Sequence, residues 1–114
     1  MSIDRLVQAV IYDFKDARPY FLILHRVKNW QGWELLKGHI KEGEDLKEAL
    51  KREIQEEARL KNFQIGRNLN KRIEWAAGGK KYIIVGVFLV KADMDEPINL
   101  KQEIVEHDDY QWVN

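Results

Sequence analysis

Three glutamates, Glu53, Glu56 and Glu57, lie close together in the segment GHIKEGEDLKEALKREIQEEARL, which runs from Gly38 to Leu60. In a helix each residue advances about 100° around the axis. Leu46, Ala49 and Leu50 then mark an apolar stripe, with Ile54 at its margin. Glu53 and Glu57 continue that stripe, and Glu56 sits at its other edge. Lys47, Glu48, Lys51, Gln55 and Arg59 occupy the opposite side. An EE pair most often marks a solvated face, but a solvated face lies opposite the apolar stripe, not along it. Glu53 and Glu57 are also like charges at i and i+4, which costs roughly a few tenths of a kcal/mol even when exposed. Partial burial strengthens the repulsion, and the carboxylates then take up protons unless a cation is bound among them.

A divalent metal resolves the conflict. Carboxylate oxygens without cysteine or suitably spaced histidine suit a hard cation, Mg²⁺ or Mn²⁺. Held by few protein ligands, such an ion keeps waters and binds phosphate oxygens. It neutralises charge on a pyrophosphate and helps to ionise a water that attacks phosphorus. Gly38 and Gly43 bracket HIKE and predict a tight loop that brings backbone close to a ligand before the helix begins. Lys37 and His39 border that loop and could meet phosphate. His25 and His107 share no metal-ligand spacing with another histidine, so zinc is not expected.

The elements that must position these groups follow from patterning. Leu6–Phe14 and the run YFLILHR are β-rich and flank KDARP, a turn signal, so they predict neighbouring strands. NWQGWELL predicts a loop and a short strand, and the helix begins near Asp45. Arg67–Ala77 and Lys81–Val90 flank Gly78-Gly79, a hairpin signal. The second of these is apolar almost throughout, as a central strand would be. ADMDEPINLKQEIVEH predicts a long acidic loop and YQWV a last short strand. The expected architecture is α+β, a mixed and mainly antiparallel sheet with one helix. Trp33, Trp75 and Trp112 are expected to pack in the core or sheet, and Trp30 to lie in a loop where it could line a pocket.

The whole chain bounds the rest. Its 114 residues make one domain with a modest core. Nineteen basic residues balance nineteen acidic ones, so no global field draws in nucleic acid or an acidic membrane. Without cysteine there are no disulfides, thiolate metal sites or Cys nucleophile. The amino terminus does not resemble a signal peptide, and no apolar run reaches the roughly 20 residues of a membrane span. The expected setting is cytoplasmic.

Gly38, Glu44, Arg52, Glu53, Ile54, Glu56, Glu57 and Leu60 stand in the register of the Nudix box, and the segment resembles that family's signature. Arg59 alone departs, standing where the family usually has glycine. The resemblance implies an α/β/α Nudix-type sandwich and a hydrolase acting on phosphoric anhydrides. It implies Mg²⁺, with Mn²⁺ as an alternative, bound by Glu53, Glu56 and Glu57. Arg52 would orient a carboxylate, and Glu44 would be structural at the loop–helix junction together with Gly43. WELLKGHIKEGE, KKYIIVGVFLV and EHDDYQWV further resemble segments of asymmetrical diadenosine tetraphosphate hydrolases, with Leu36 in place of a proline.

That second resemblance implies Lys37, Gly38, His39, Lys81 and Tyr82 as substrate contacts. It makes Glu106 a further metal ligand or general base, with Glu103 its nearest rival. The catalytic set is then Glu53, Glu57, Glu106 and Arg52. Two alternatives stand beside this one: a Nudix enzyme acting on oxidised nucleotides or on RNA 5′ ends, and a catalytically silent nucleotide-binding module. Members of the family usually carry a second helix after the last strand, and none is expected here. The doubly apolar strand Tyr82–Val90 therefore expects other cover, from a twofold homodimer or from the loop Ala92–His107. Light scattering at several concentrations separates those two outcomes.

Overall fold

A computed structural model describes residues 2–114. The chain opens with strand β1 (Ser2–Lys15), which turns into β2 (Arg18–Arg26). Their connection is Asp16-Ala17 with both φ angles positive, the two-residue turn whose twist matches a hairpin. Pro19 falls inside β2, opposite Phe14. Next come β3 (Gly32–Glu34), β4 (Leu36–His39), helix α1 (Leu46–Glu57), β5 (Phe63–Asn68), β6 (Ile73–Ala77), β7 (Lys80–Ala92) and β8 (His107–Val113).

The strands form one mixed sheet whose main path is β3-β2-β1-β7-β5. β4 pairs with β1, β6 with β7 and β8 with β2. Only β1 and β7 run parallel, from Ser2 opposite Lys80 to Tyr12 opposite Lys91, with an irregularity between Leu6 and Val7. The expected mainly antiparallel α+β architecture stands, with one helix among the described residues. No helix is long and apolar enough to cross a membrane among those residues.

Helix α1 starts where side chains satisfy its free amides. Asp45 accepts the Glu48 N–H at 2.8 Å, while Glu48 accepts the Asp45 N–H at 3.3 Å, a reciprocal cap. Ala49, Leu50 and Ile54 pack with Ala58 and Leu60 onto Val7, Ala9, Ile11, Leu22, Leu24, Leu36, Phe88 and Val90. Burying each large side chain of this set stabilises by roughly 1.5–3 kcal/mol. On the other face of the sheet Leu6, Ile84 and Val87 form a smaller cluster with Val10, Leu69, Trp75 and Tyr82.

One expectation about the scaffold needs correction. The KGH segment is not a loop: Leu36–His39 pairs as β4 with Leu6–Ala9, and only the turn Lys41–Glu44 that follows uses Gly43, at φ +84. Trp33 takes the sheet position rather than the core. It pairs opposite His25 on the short β3 and is 41% exposed, whereas Trp112 does pack against the main cluster.

Candidate active site

Gly38 sits in β4 directly against the helix. A Cβ placed there would lie 2.0 Å from Glu53 Cδ and 2.3 Å from Oε2, so glycine is what allows the Glu53 carboxyl group to lie on the strand. Glu53 and Glu57 are both buried, and Glu56 is exposed, as the stripe along α1 requires. Burial, together with the neighbouring Glu57 and Glu56 charges, pushes the Glu53 carboxyl up to about 7 despite its contact with Arg52.

Arg52 ties the helix to the turn before it. Nε and Nη2 donate to the two Glu44 oxygens at 2.7 and 2.9 Å. Nη1 donates to Glu53 at 2.8 Å and Glu56 at 3.2 Å, and Nη2 also donates to the His39 carbonyl at 2.8 Å. All five guanidinium N–H groups are thereby used. The Arg52 hydrogen bonds hold the Glu44 carboxyl down to about 2, and the Lys41 N–H adds a further bond at 2.7 Å.

Below this layer lies a cluster centred on Glu34. Arg26 Nη1 donates to Glu34 at 3.1 Å, Lys37 Nζ donates to its other oxygen, and His107 Nε2 lies 2.8 Å away. Burial disfavours the Glu34 carboxylate, yet the bonds from His107 and Lys37 hold it down to about 2. Burial likewise disfavours a charged His107, but Glu34 and then Glu57 push the imidazole up to about 9. His107 Nδ1 is 3.4 Å from Glu57 Oε2, close enough for attraction but not aligned as a hydrogen bond. Both atoms are consequently buried without a hydrogen-bond partner.

That unpartnered Glu57 oxygen is what a cation site would present. Glu57, Glu106 and His107 offer atoms within 4.8 Å of one another. His107 makes a poor ligand, since Nε2 is engaged by Glu34 and Nδ1 lies against Glu57. The carboxylate oxygens of Glu57 and Glu106 suit a hard divalent ion instead. Glu106 is half-buried, its carbonyl accepts the Val27 N–H at 2.8 Å, and its carboxylate faces Lys28 at 3.8 Å. Glu103, its rival, is exposed and outside the cleft.

Glu53, Glu56, Glu57 and Glu106 line a cleft of about 910 Å³ that also contains Lys37, Gly38, His39 and Tyr82. At another part of its wall Tyr82 stacks on Trp75, with ring centroids 5.3 Å apart and planes 10° from parallel. His39 meets the Tyr82 edge at 6.5 Å and lies 3.3 Å from Asp4. Lys81 does not belong to this wall. It points to the opposite face and pairs with Glu74 at 3.7 Å, while Lys80, two residues before Tyr82, lines the cleft. The patterning also missed Trp75, although counting outward from Gly78-Gly79 sets Trp75 opposite Tyr82. Glu34 escaped the patterning because its partners come from three other strands, Arg26 from β2, Lys37 from β4 and His107 from β8.

The sheet with one acid-lined helix under a cleft is that of a hydrolase acting on phosphoric anhydrides. The NUDIX domain model matches residues 4–114, and the chain belongs to the Nudix family. Members of that family generally use divalent metals, and their substrates are nucleotides. An RNA pyrophosphohydrolase of Sulfurovum sp. (strain NBC37-1) is 34% identical, with 94% of this chain and 74% of that protein covered. An Ap4A hydrolase of C. elegans in a binary complex superposes with a TM-score of 0.83 at 26% identity, covering 96% of this chain and 79% of that one. A MutT protein from Methanosarcina mazei Go1 gives 0.74 at 26% identity, covering 98% and 77%.

Arg59, in the position where the family usually has glycine, adopts φ +54 just beyond the helix C-cap Ala58. A left-handed residue ends helices well when it is glycine, and a side chain there costs about 1 kcal/mol. Arg59 recovers part of this by donating to the Lys101 carbonyl at 2.8 Å, an exposed bond. Arg59→Gly is therefore expected to raise the melting temperature by about 2 °C, since strain relief slightly exceeds the lost bond. A lower melting temperature would show that the tie to Lys101 dominates.

Proposed function

We propose that this chain, as one Nudix domain over residues 1–114, is a cytoplasmic enzyme that hydrolyses diadenosine tetraphosphate asymmetrically to ATP and AMP. The observation that carries the reading is the Trp75–Tyr82 stack in the cleft that also holds the glutamate stripe and Lys37. An aromatic platform accepts a base at roughly 1–3 kcal/mol per base, and the polyphosphate then extends toward the charged end.

Glu53, Glu57 and Glu106 would hold Mg²⁺ or Mn²⁺, with Glu56 at the exposed edge. When bound, the ion neutralises charge on the phosphate chain and favours ionisation of water. The chain's own groups do the rest. Arg26, Lys37 and His39 bind phosphate oxygens, Lys80 takes the part first expected of Lys81, and Arg52 keeps Glu53 oriented. One of the three carboxylates takes the proton of the attacking water. The water oxygen bonds to phosphorus, the bridging P–O bond breaks, and the leaving phosphate departs with the electron pair.

The RNA pyrophosphohydrolase relative supports a second reading, action on RNA 5′ ends. The balanced charge favours the small substrate, since a long polyanion is usually gathered by a basic surface. The test is a parallel assay with Mg²⁺ on diadenosine tetraphosphate, 5′-triphosphate RNA and an oxidised nucleoside triphosphate. Diadenosine tetraphosphate is expected to lead in kcat/KM by at least about tenfold, with Trp75→Ala raising its KM about tenfold. Preference for RNA would transfer the assignment to the second reading. ADP as the main product would reject asymmetrical cleavage, and no turnover of any substrate would leave a silent binding module.

A further inference from the structure

Glu34 is one carboxylate among three cations. Lys37, Arg26 and His107 converge on its two oxygens, and all four side chains are largely withdrawn from solvent. His107 also faces Glu57, and Lys37 and Arg26 line the same cleft as Glu53, Glu57 and Glu106. Attraction between opposite charges is strong in such half-buried surroundings and has little directionality. A lysine ammonium on a flexible stem follows the nearest acid. Released from Glu34, it would settle on the carboxylates of α1. The ion pairs that restrain Lys37 among the described residues are all with Glu34.

We infer that Glu34 is a positioning residue that holds Lys37 and Arg26 off the carboxylates of α1 and so leaves those carboxylates accessible to a divalent cation. Buried ion clusters rarely add net stability, because desolvation offsets their attraction. Placement explains this one better: a basic group that must meet phosphate is kept beside an acidic group that must meet metal, without the two neutralising each other. The inference rests on the assignment of Glu53, Glu57 and Glu106 as metal carboxylates.

Direct titration of substrate-free protein with Mn²⁺, followed by the EPR signal of the free ion, tests it. Glu34→Gln should weaken Mn²⁺ binding about tenfold, the range seen when groups behind metal ligands are changed. Glu34→Gln combined with Lys37→Gln should recover most of that loss. Lys37→Gln alone should leave Mn²⁺ affinity at the wild-type level, because Glu34 already holds the amine away. This single variant keeps Arg26 and His107 on Glu34, so it remains informative if Glu34→Gln fails to fold. A folded Glu34→Gln that binds within twofold of wild type overturns the inference, as does a double variant that recovers nothing. A several-fold gain for Lys37→Gln alone overturns it too. Wild-type protein that binds no Mn²⁺ overturns the metal assignment with it, whereas normal wild-type binding with indifferent variants overturns the inference alone.

Discussion

Glu57→Gln is expected to lower phosphoanhydride hydrolysis by about three orders of magnitude while leaving the fold in place. Its Oε2 atom is buried and has no hydrogen-bond partner, and its carboxylate groups with Glu106 and His107. An amide keeps the volume but offers a weaker donor to a cation and cannot carry a proton from water. The stability effects oppose one another. Removing the charge loses attraction to His107, yet it relieves repulsion of Glu53, whose carboxyl is pushed up partly by Glu57. The melting temperature in EDTA should therefore stay within a few degrees of wild type. Rates with Mg²⁺ and melts without it, taken on the same preparation, check both halves. Wild-type activity that persists in excess EDTA would remove the metal from the account altogether.

Gly38→Ala should cost about two orders of magnitude in rate through a single methyl group. The backbone of β4 is ordinary strand at this position, so alanine brings no conformational strain there. Its Cβ would instead occupy the space of Glu53 Cδ, Oε2 and Cγ, all within 2.4 Å. Glu53 cannot swing freely, being buried and tied to Arg52 at 2.8 Å, so carboxylate and strand must separate. A shift of about 1 Å at a reacting group is enough for a loss of this size. Gly43→Ala is the control. Nothing lies within 4 Å of a Cβ there, but φ is +84, so stability should fall by about 1 kcal/mol with the rate retained. Equal activity of Gly38→Ala and wild type would mean that Glu53 has no fixed place in the site.

Local periodicity made the helix and its acidic stripe legible. The start falls near Asp45 as expected, and the 3.6-residue repeat places Glu53 and Glu57 on the buried side and Glu56 at the edge. Gly78-Gly79 likewise announced the β6–β7 hairpin. What escaped depends on pairing between distant segments. Leu36–His39 becomes a strand only because Leu6–Ala9 lies beside it, and Gly38 owes its role to Glu53 rather than to a loop. Lys80 and Lys81 have the same chemistry, and only alternation along β7 distinguishes the cleft from the far face. Glu34 and His107 meet through β2, β3 and β8, and no spacing within one segment points to that meeting.

The parallel pairing of β1 with β7 determines the order in which the site can be assembled. During synthesis the hairpin of β1 and β2, then β4 and α1, emerge well before Lys80. By then every carboxylate of the helix stripe, along with Gly38 and Arg52, has been made. Yet β1 still lacks the neighbour that runs from Lys80 to Ala92, and α1 lacks Phe88 and Val90 beneath it. Contacts between segments so far apart in sequence are the slow ones, because the intervening chain must be closed into a loop before they stabilise anything. At about 5–20 residues per second, several seconds separate the emergence of the two strands. Throughout that interval the long edge of β1 stands open to any other strand, and the glutamate stripe exists as a list of residues with no sheet beneath it.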